Sequence, residues 1–248
     1  MNLNLSNSNV AITGGSKGIG KAIAQCFAAE GANVSICARN KKDIETTLSD
    51  LKQYGKKYTG YAVDIQDKRQ VEKWVSTAAS DLGGINILIL NASALSTEWD
   101  TAVNVDFWGT VHTVQAAIPY LRKSNAASIV YIGSIAASLA VHEAAPYCAI
   151  KAAMANYMKS LSHALAPDKI RVNTVSPGNT YFDGGYWDKE KKARPEQFKT
   201  VEAAIDLKRM AKPEEIADCV VFLSSTKASY VTGSNLLVDG GTTKHVVV

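Results

Sequence analysis

The sequence predicts an α/β fold in which a parallel sheet of seven strands carries helices on both faces. Short apolar stretches alternate with amphipathic helical patterns along the whole chain, which is typical of strand–helix–strand units in a doubly wound sheet. No repeat, low-complexity tract or linker interrupts this alternation. We therefore expect residues 1–248 to form a single domain.

Composition excludes several classes of protein. Hydrophobic residues make up 46% and charged residues 20% of the chain, which is ordinary for a soluble globular protein. The net charge of +4 is modest and the basic residues are scattered, so we expect no nucleic-acid binding. The absence of a long apolar run or signal peptide predicts a cytoplasmic protein without a membrane contact. The four histidines and four cysteines lack metal-ligand spacing, so we expect no metal.

The predicted elements follow one another in regular order. Strands are expected at Val10–Thr13, Val34–Ala38, Thr59–Val63, Ile85–Leu90, Ser128–Ile132, Val172–Val175 and Leu236–Val238. Helices are expected at Gly18–Glu30, Lys41–Tyr54, Lys68–Leu82, Trp99–Arg122, Ala144–Ala166 and Pro213–Ser224. Residues 178–200 match neither pattern and are predicted to be a loop, within a substrate lid near 178–210.

Residues that could bind a ligand or take part in catalysis follow the predicted strands. In open parallel sheets, ligands bind beyond the carboxyl ends of the strands, near the point where the strand order reverses. We therefore expect the residues after the strands to line one edge of the sheet. They are Gly14, Arg39, Asp64, Asn91, Ser134 and Pro177.

A glycine-rich loop, T-G-G-S-K-G-I-G at residues 13–20, connects the first strand to the first helix. Glycines there allow a tight turn and let the backbone approach a pyrophosphate, which rests on the positive end of the helix. An ordinary glycine-rich turn is the alternative. The position of the loop favours dinucleotide binding by Gly14, Ser16, Lys17, Gly18, Ile19 and Gly20.

The end of the second strand predicts which dinucleotide binds. NAD-binding folds of this kind place an acid there for the ribose 2′-hydroxyl, whereas an Arg accommodates a 2′-phosphate. This chain has Arg39 and Asn40 and no carboxylate at that place, and Lys17 is expected to reach the same phosphate. We predict NADP(H) as cofactor; the alternative is that both cations are merely solvated.

Tyr147 and Lys151 lie four residues apart in the predicted helix Ala144–Ala166 and therefore share one face. An ammonium beside a phenol favours the phenolate, which lowers the tyrosine pKa toward the range useful for proton transfer. Such pairs also occur by chance on surface helices, so the pair gains its meaning from the other motifs.

Together these residues resemble the short-chain dehydrogenase/reductase family, in its branch with T-G-x-x-x-G-x-G and Y-x-x-x-K motifs, and most nearly its carbonyl reductases of the 3-oxoacyl reductase type. The similarity spans the chain and implies a Rossmann fold. Further matches are Asp64-Ile65, Asn91-Ala92, Asn104 in V-N-V, Ser134, Pro177-Gly178 and the C-terminal V-T-G and V-D-G-G strings.

The resemblance implies a reversible hydride transfer between a nicotinamide and a carbonyl or alcohol carbon. Tyr147 would exchange the proton, Lys151 would lower its pKa and hold the nicotinamide ribose, and Ser134 would polarise the carbonyl. Asn104 would anchor a water that links Lys151 to solvent. The resemblance also implies cofactor contacts from Asp64, Ile65, Asn91, Ala92, Pro177, Gly178 and Thr180, and a homo-oligomer, either a tetramer or a dimer.

Three features depart from the family pattern. Ser93 replaces a glycine, and the segment between Asn91 and Asn104 is shorter than in the family, at a helix that commonly packs between subunits there. Phe182 stands where the family often has a threonine, so Thr180 is expected to hydrogen-bond the nicotinamide amide instead.

Five aromatic residues between 179 and 198 predict either a lid over an apolar or cyclic substrate or simple packing of the loop. A 3-oxoacyl thioester and a small cyclic or aromatic ketone are both compatible with the sequence. We expect an NADPH-dependent ketone reductase. The alternatives are an NAD-dependent alcohol dehydrogenase and a non-catalytic NADP-binding regulator.

Overall fold

In the computed structural model, which describes residues 2–244, seven strands form one parallel sheet in the order β3-β2-β1-β4-β5-β6-β7. The order reverses between β1 and β4, where Val10 pairs with Val34 on one side and with Ile87 on the other. This confirms the predicted single α/β domain of the Rossmann type. The strands are β1 (Asn9–Thr13), β2 (Asn33–Ala38), β3 (Tyr58–Ala62), β4 (Ile87–Leu90), β5 (Ser128–Ile132), β6 (Arg171–Pro177) and β7 (Asn235–Val238).

The central strands are buried along their whole length, because helices cover both faces of a parallel sheet. One face carries α1 (Gly18–Ala29), α2 (Lys41–Leu51) and α9 (Pro213–Ser224). The other face carries α3 (Lys68–Leu82), α5 (Gly109–Leu121) and α6 (Ala145–Leu165). Each face has its own apolar core, so the sheet is a rigid platform for the loops at its edge.

The predicted helix Trp99–Arg122 is interrupted in the structure. A short α4 (Trp99–Ala102) leads into a π-helical segment (Val103–Trp108), and α5 follows it. A π-helical turn is wider than an α-helical turn, so it changes which side chains face the sheet.

The prediction of a loop at residues 178–200 was wrong, because two helices lie in this part of the chain. They are α7 (Tyr186–Ala193) and α8 (Pro195–Ala204). A small apolar cluster, separate from the two main cores, holds them together; it contains Phe198, Ile205 and Met210, with Tyr181, Trp187 and Val201 against it. No helix within residues 2–244 is long and apolar enough to cross a membrane.

Candidate active site

The glycine loop between β1 and α1 has the backbone geometry that its glycines were expected to allow. Gly14 and Gly18 adopt positive φ angles of 65° and 50°, which favour glycine. A β-carbon on Gly20 would lie 2.2 Å from the Gly14 carbonyl oxygen. Larger residues at these positions would therefore deform the loop.

The N-terminus of α1 opens onto this loop. Lys17 precedes the helix but makes no side-chain capping hydrogen bond, and the first turn of α1 contains no acidic residue. The first N–H groups of a helix need partners and carry partial positive charge. This end of α1 therefore fits the pyrophosphate of a dinucleotide.

The end of β4 is fastened to the glycine loop by Asn91. Its Nδ2 donates to the carbonyl oxygens of Thr13 at 3.1 Å and Gly14 at 3.0 Å. The Thr13 hydroxyl oxygen accepts from the backbone N–H groups of Asn91 at 2.9 Å and Ala92 at 3.0 Å. Asn91 and Ala92 therefore lie beside the loop and are fixed to it by four hydrogen bonds.

The end of β2 presents one cation without a partner. Arg39 is exposed and makes no ion pair or side-chain hydrogen bond within residues 2–244. The Lys17 ammonium instead lies 2.9 Å from the Asp43 carboxylate, and the Asn40 side chain accepts from the Asp43 N–H at 3.2 Å, capping α2. Arg39 is thus the cation best placed to bind an added phosphate.

The loop after β3 is held against α5. Asp64 accepts from the N–H of Gln66 at 3.1 Å, and its own N–H donates to the Gln70 side chain at 3.0 Å. Ile65 packs so closely on Gly109 that a β-carbon there would lie 2.9 Å from it. Asp64 and Ile65 therefore have a defined place at the same edge of the sheet.

Tyr147 and Lys151 lie together on α6, next to the end of β5. The Lys151 Nζ donates to the Ile132 carbonyl oxygen at 3.1 Å and lies 5.5 Å from the Tyr147 ring centroid. It also lies 4.9 Å from the ring centroid of Tyr131. Lys151 is buried, whereas Tyr147 is half-buried, so the phenol stands between a buried ammonium and the surface.

The charge state of Lys151 depends on these neighbours. Burial lowers the pKa of an ammonium, but Tyr131, Tyr147 and Asp106 outweigh that effect and raise the pKa of Lys151 above its usual value. These neighbours therefore favour the charged form of Lys151.

The structure does not place Asn104 beside Lys151. Asn104 is exposed in the π-helical segment, whereas Asp106, two residues later, is buried with its Oδ1 3.7 Å from the Lys151 Nζ. The wide turn directs Asp106 rather than Asn104 toward the sheet. The side chain from this helical segment that reaches Lys151 is therefore that of Asp106, and the expected water-anchoring role of Asn104 stays a prediction. Asp106 is a charged residue in an otherwise mostly apolar stretch, Val103 to Trp108, and this feature of the sequence could have indicated its role.

Ser134 follows β5 by two residues and is half-buried. Its Oγ accepts from the Ala136 N–H at 3.1 Å and so caps a 3₁₀ turn (Ile135–Ser138) against which α6 packs. The hydroxyl can still donate its proton, as expected of a group that polarises a carbonyl.

The segment after β6 reaches back to the glycine loop. The Gly178 N–H donates to the Val238 carbonyl at 2.9 Å, and the Thr180 hydroxyl donates to the Gly178 carbonyl at 3.2 Å. The Phe182 ring lies against Gly18, because a β-carbon on that glycine would be 2.5 Å from the ring. Phe182, which stands where a threonine was expected, therefore contacts the predicted pyrophosphate loop.

The predicted residues thus meet at one edge of the sheet, with the exception of Asn104. Asn91 joins the glycine loop to the segment after β4, and the Ala94 N–H of that segment donates to Asp106 Oδ2 at 3.0 Å. Asp106 in turn adjoins Lys151. Among residues 2–244, no group of three His, Cys, Asp or Glu side chains is arranged to hold a metal ion.

Known proteins match the chain over nearly its full length. A family model described as enoyl-(acyl carrier protein) reductase matches residues 14–243. An isoepoxydon dehydrogenase from Penicillium expansum is 39% identical over 248 residues, covering 96% of this chain and 95% of that protein.

Two solved structures show the same fold. The L-sorbose reductase of Gluconobacter frateurii, in complex with NADPH and L-sorbose, is 31% identical with a TM-score of 0.91, covering 99% of this chain and 100% of that one. An NADPH-bound short chain oxidoreductase of Pseudomonas aeruginosa, described as containing an atypical catalytic center, is 29% identical with a TM-score of 0.89; 97% and 99% of the two chains are covered.

Proposed function

The chain belongs to the short-chain dehydrogenase/reductase family, and we propose that within this family of oxidoreductases it is an NADPH-dependent reductase of ketones. The observation that carries the proposal is the position of Tyr147. Its ring lies beside the buried Lys151 ammonium at the carboxyl end of β5, and a continuous set of contacts joins this place to the glycine loop.

Tyr147 donates its proton to the carbonyl oxygen of the substrate as the carbonyl carbon is reduced. Ser134 donates a hydrogen bond to the same oxygen, and Lys151 stabilises the negative charge left on the phenol. When bound, the nicotinamide would supply the hydride. Gly14, Ser16, Gly18, Ile19 and Gly20 would hold the pyrophosphate, and Asp64, Ile65, Asn91, Ala92, Pro177, Gly178 and Thr180 would line the remainder of the cofactor site.

Removal of the phenolic hydroxyl tests the role of Tyr147. We expect Tyr147→Phe to lower turnover of NADPH with ketones by a factor of about 1,000 while the affinity for NADPH, measured by fluorescence titration, changes little. Tyr157→Phe is the matched control, because Tyr157 lies on the same helix but packs against the core. A Tyr147→Phe protein that keeps most of its activity contradicts the proposal.

The preference for NADP(H) is proposed on the basis of Arg39, the unpaired cation at the end of β2. NADPH in the two related structures supports it. We expect Arg39→Ala to weaken NADPH binding about tenfold or more and to leave NADH binding unchanged, whereas Lys52→Ala, at the far end of α2, changes neither. A native preference for NADH would favour the NAD-dependent alcohol dehydrogenase instead. NADPH binding without turnover of any substrate would favour the non-catalytic regulator.

We propose a small cyclic or apolar ketone as the substrate and residues 178–210 as its lid. Three of the five aromatic residues, Tyr181, Trp187 and Phe198, pack together in the small cluster, whereas Phe182 lies on the glycine loop and Tyr186 is exposed. A panel of cyclic ketones and 3-oxoacyl thioesters, followed by NADPH absorbance, tests the choice. Faster turnover of the thioesters would contradict it.

We also propose a cytoplasmic homo-oligomer, either a dimer or a tetramer. Trp99 and Trp108 are 56% and 46% exposed on the helical segment that begins at α4. Association with a second copy of the chain would bury these apolar side chains, and this burial favours an oligomer. Light scattering of the purified protein measures the state directly, and a monomer at micromolar concentration would contradict it. Cell fractionation tests the location.

A further inference from the structure

A buried ion pair lies beneath Tyr147. The side chains of Lys151 and Asp106 are 3% and 2% exposed, and the Nζ and Oδ1 atoms are 3.7 Å apart. The other carboxylate oxygen, Oδ2, accepts from the Ala94 N–H. Oδ1 makes no hydrogen bond within residues 2–244. The oxygen that lacks a hydrogen bond is thus the one that faces the ammonium.

The charge of Asp106 is not needed for its hydrogen bond to Ala94, since a neutral amide oxygen would accept the same N–H. Taking a carboxylate out of water is costly unless an opposite charge compensates for it. Lys151 has the complementary need, because its hydrogen bond to the Ile132 carbonyl leaves a full positive charge in the core. The charges of Asp106 and Lys151 therefore compensate for each other in the core.

We propose that Asp106 is a positioning residue that holds Lys151 as a charged ammonium under the Tyr147 ring. This inference rests on the proposed function, in which Tyr147 is the proton donor. Three titratable groups face the ammonium: Asp106 from the π-helical segment, Tyr131 from β5 and Tyr147 from α6. Asp106 is the carboxylate among them, so its removal leaves the ammonium with two phenols and a carbonyl.

The first test measures stability and needs neither cofactor nor substrate. We expect Asp106→Asn to lower the unfolding temperature of the native chain, because Lys151 loses its counter-ion. In a Lys151→Met background, the same change should raise the unfolding temperature, because it removes a carboxylate that has become unpaired. If Asp106 acted only through its bond to Ala94, Asp106→Asn would have the same sign in both backgrounds, and the proposal would be overturned.

The second test measures turnover against pH. At pH 7 we expect Asp106→Asn to lower kcat about tenfold, with KM for NADPH and for the ketone changed less than about threefold. The deficit should widen as the pH rises from 6 to 9, because a buried ammonium without a counter-ion loses its proton more readily. A deficit that is constant with pH would indicate a structural role and would overturn the proposal.

Two comparison variants complete the design. Asp100→Asn removes an exposed carboxylate from α4 and should leave turnover unchanged. Asn104→Ala compares the position expected from sequence with the position found in the structure, and a larger loss there than in Asp106→Asn would overturn the proposal. If the sign reversal is observed but no ketone is reduced, the ion pair stands and the proposed function fails. If ketones are reduced and Asp106→Asn is neutral in stability and rate, the proposed function stands and this inference fails.

Discussion

Two regions of the protein flank the proposed cofactor site, and they are built differently. The catalytic edge, which comprises residues 91–94, Asp106, Tyr147 and Lys151, is bonded directly to the central strands. Asn91 binds the end of β1 and Lys151 binds the end of β5. The lid segment, residues 178–210, has an apolar cluster of its own and meets the glycine loop through the ring of Phe182.

This difference indicates which parts of the molecule respond together. Groups that share hydrogen bonds with buried strands open only when much of the fold opens, whereas a segment with its own small core can loosen locally. We therefore expect the loss of the hydrogen bonds between residues 91–94 and the glycine loop to affect stability and cofactor binding at once. Changes in the lid segment should affect that segment with little effect on global stability.

The largest effect is expected for Asn91→Ala, which removes the bonds from Nδ2 to the Thr13 and Gly14 carbonyls. The carbonyl oxygens of the buried Thr13 and the half-buried Gly14 lose a donor, so the free energy of unfolding should fall by about 2 kcal/mol. The glycine loop loses its support, so NADPH affinity should fall about tenfold or more. Urea unfolding and fluorescence titration measure the two quantities. An effect on only one of these quantities would contradict the comparison, because it would show that the glycine loop and the central strands do not respond together.

A smaller and local effect is expected for Asp188→Asn in the lid segment. The buried Asp188 carboxylate accepts from the Tyr181 hydroxyl at 3.0 Å, the Gly184 N–H at 3.0 Å and the Lys192 ammonium at 2.7 Å. The variant should exchange backbone hydrogens in residues 181–205 about tenfold faster, with the unfolding temperature nearly unchanged. Glu196→Gln, at the exposed start of α8, is the control. A large fall in the unfolding temperature would show that the segment is part of the main core.

The same carboxylate predicts a dependence on pH. Hydrogen bonds from Lys192, Gly184 and Tyr181 lower the pKa of Asp188 to about 2. Its stabilising contribution is therefore present above the ordinary carboxyl pKa of about 4 and is lost as the pH falls through about 2. Exchange in the native lid segment should approach that of Asp188→Asn within this window. If the difference between the two proteins persists at the acid end, the carboxylate is not its cause.

The sequence could predict the sheet because most strands are short runs rich in apolar residues that lie between helical patterns. Burial on both faces requires such runs, so β5 (Ser128–Ile132) was predicted with its observed bounds and β1 to within one residue. The sequence also predicted the edge of the sheet where the candidate site residues meet, because the carboxyl ends of parallel strands lie at one edge. Both predictions need only the local pattern of residues and the general rules for parallel sheets.

The sequence could not show which residue of the helical segment faces Lys151. The string V-N-V favoured Asn104, whereas the π-helical turn brings Asp106 to the ammonium. A π-helical turn does not show in the pattern of apolar residues, so the sequence could not show that Asp106 rather than Asn104 is buried. Helix α7 was missed for another reason: seven of its eight residues are charged or aromatic, and the helix lacks an apolar stripe.

A modest effect is expected for Phe182→Ala. The ring lies on Gly18 at the N-terminus of α1, where a pyrophosphate would approach, so it must move when the cofactor binds. We expect NADPH affinity to rise about threefold in Phe182→Ala, measured by titration, since the cost of displacing the ring is gone. Tyr186→Ala, an exposed aromatic of the same segment, should have no effect. Weaker binding in Phe182→Ala would show instead that the ring covers the bound cofactor.

The smallest effect is expected for Thr180→Val. The Thr180 hydroxyl donates to the Gly178 carbonyl, which leaves its oxygen free to accept from the nicotinamide amide. One such bond at a half-exposed site predicts NADPH binding about two- to fivefold weaker, and Thr200→Val on α8 should match the native protein. Unchanged affinity counts against a cofactor contact by Thr180. A loss larger than that of Asn91→Ala would reverse the comparison, because the lid segment rather than the catalytic edge would then carry most of the binding energy.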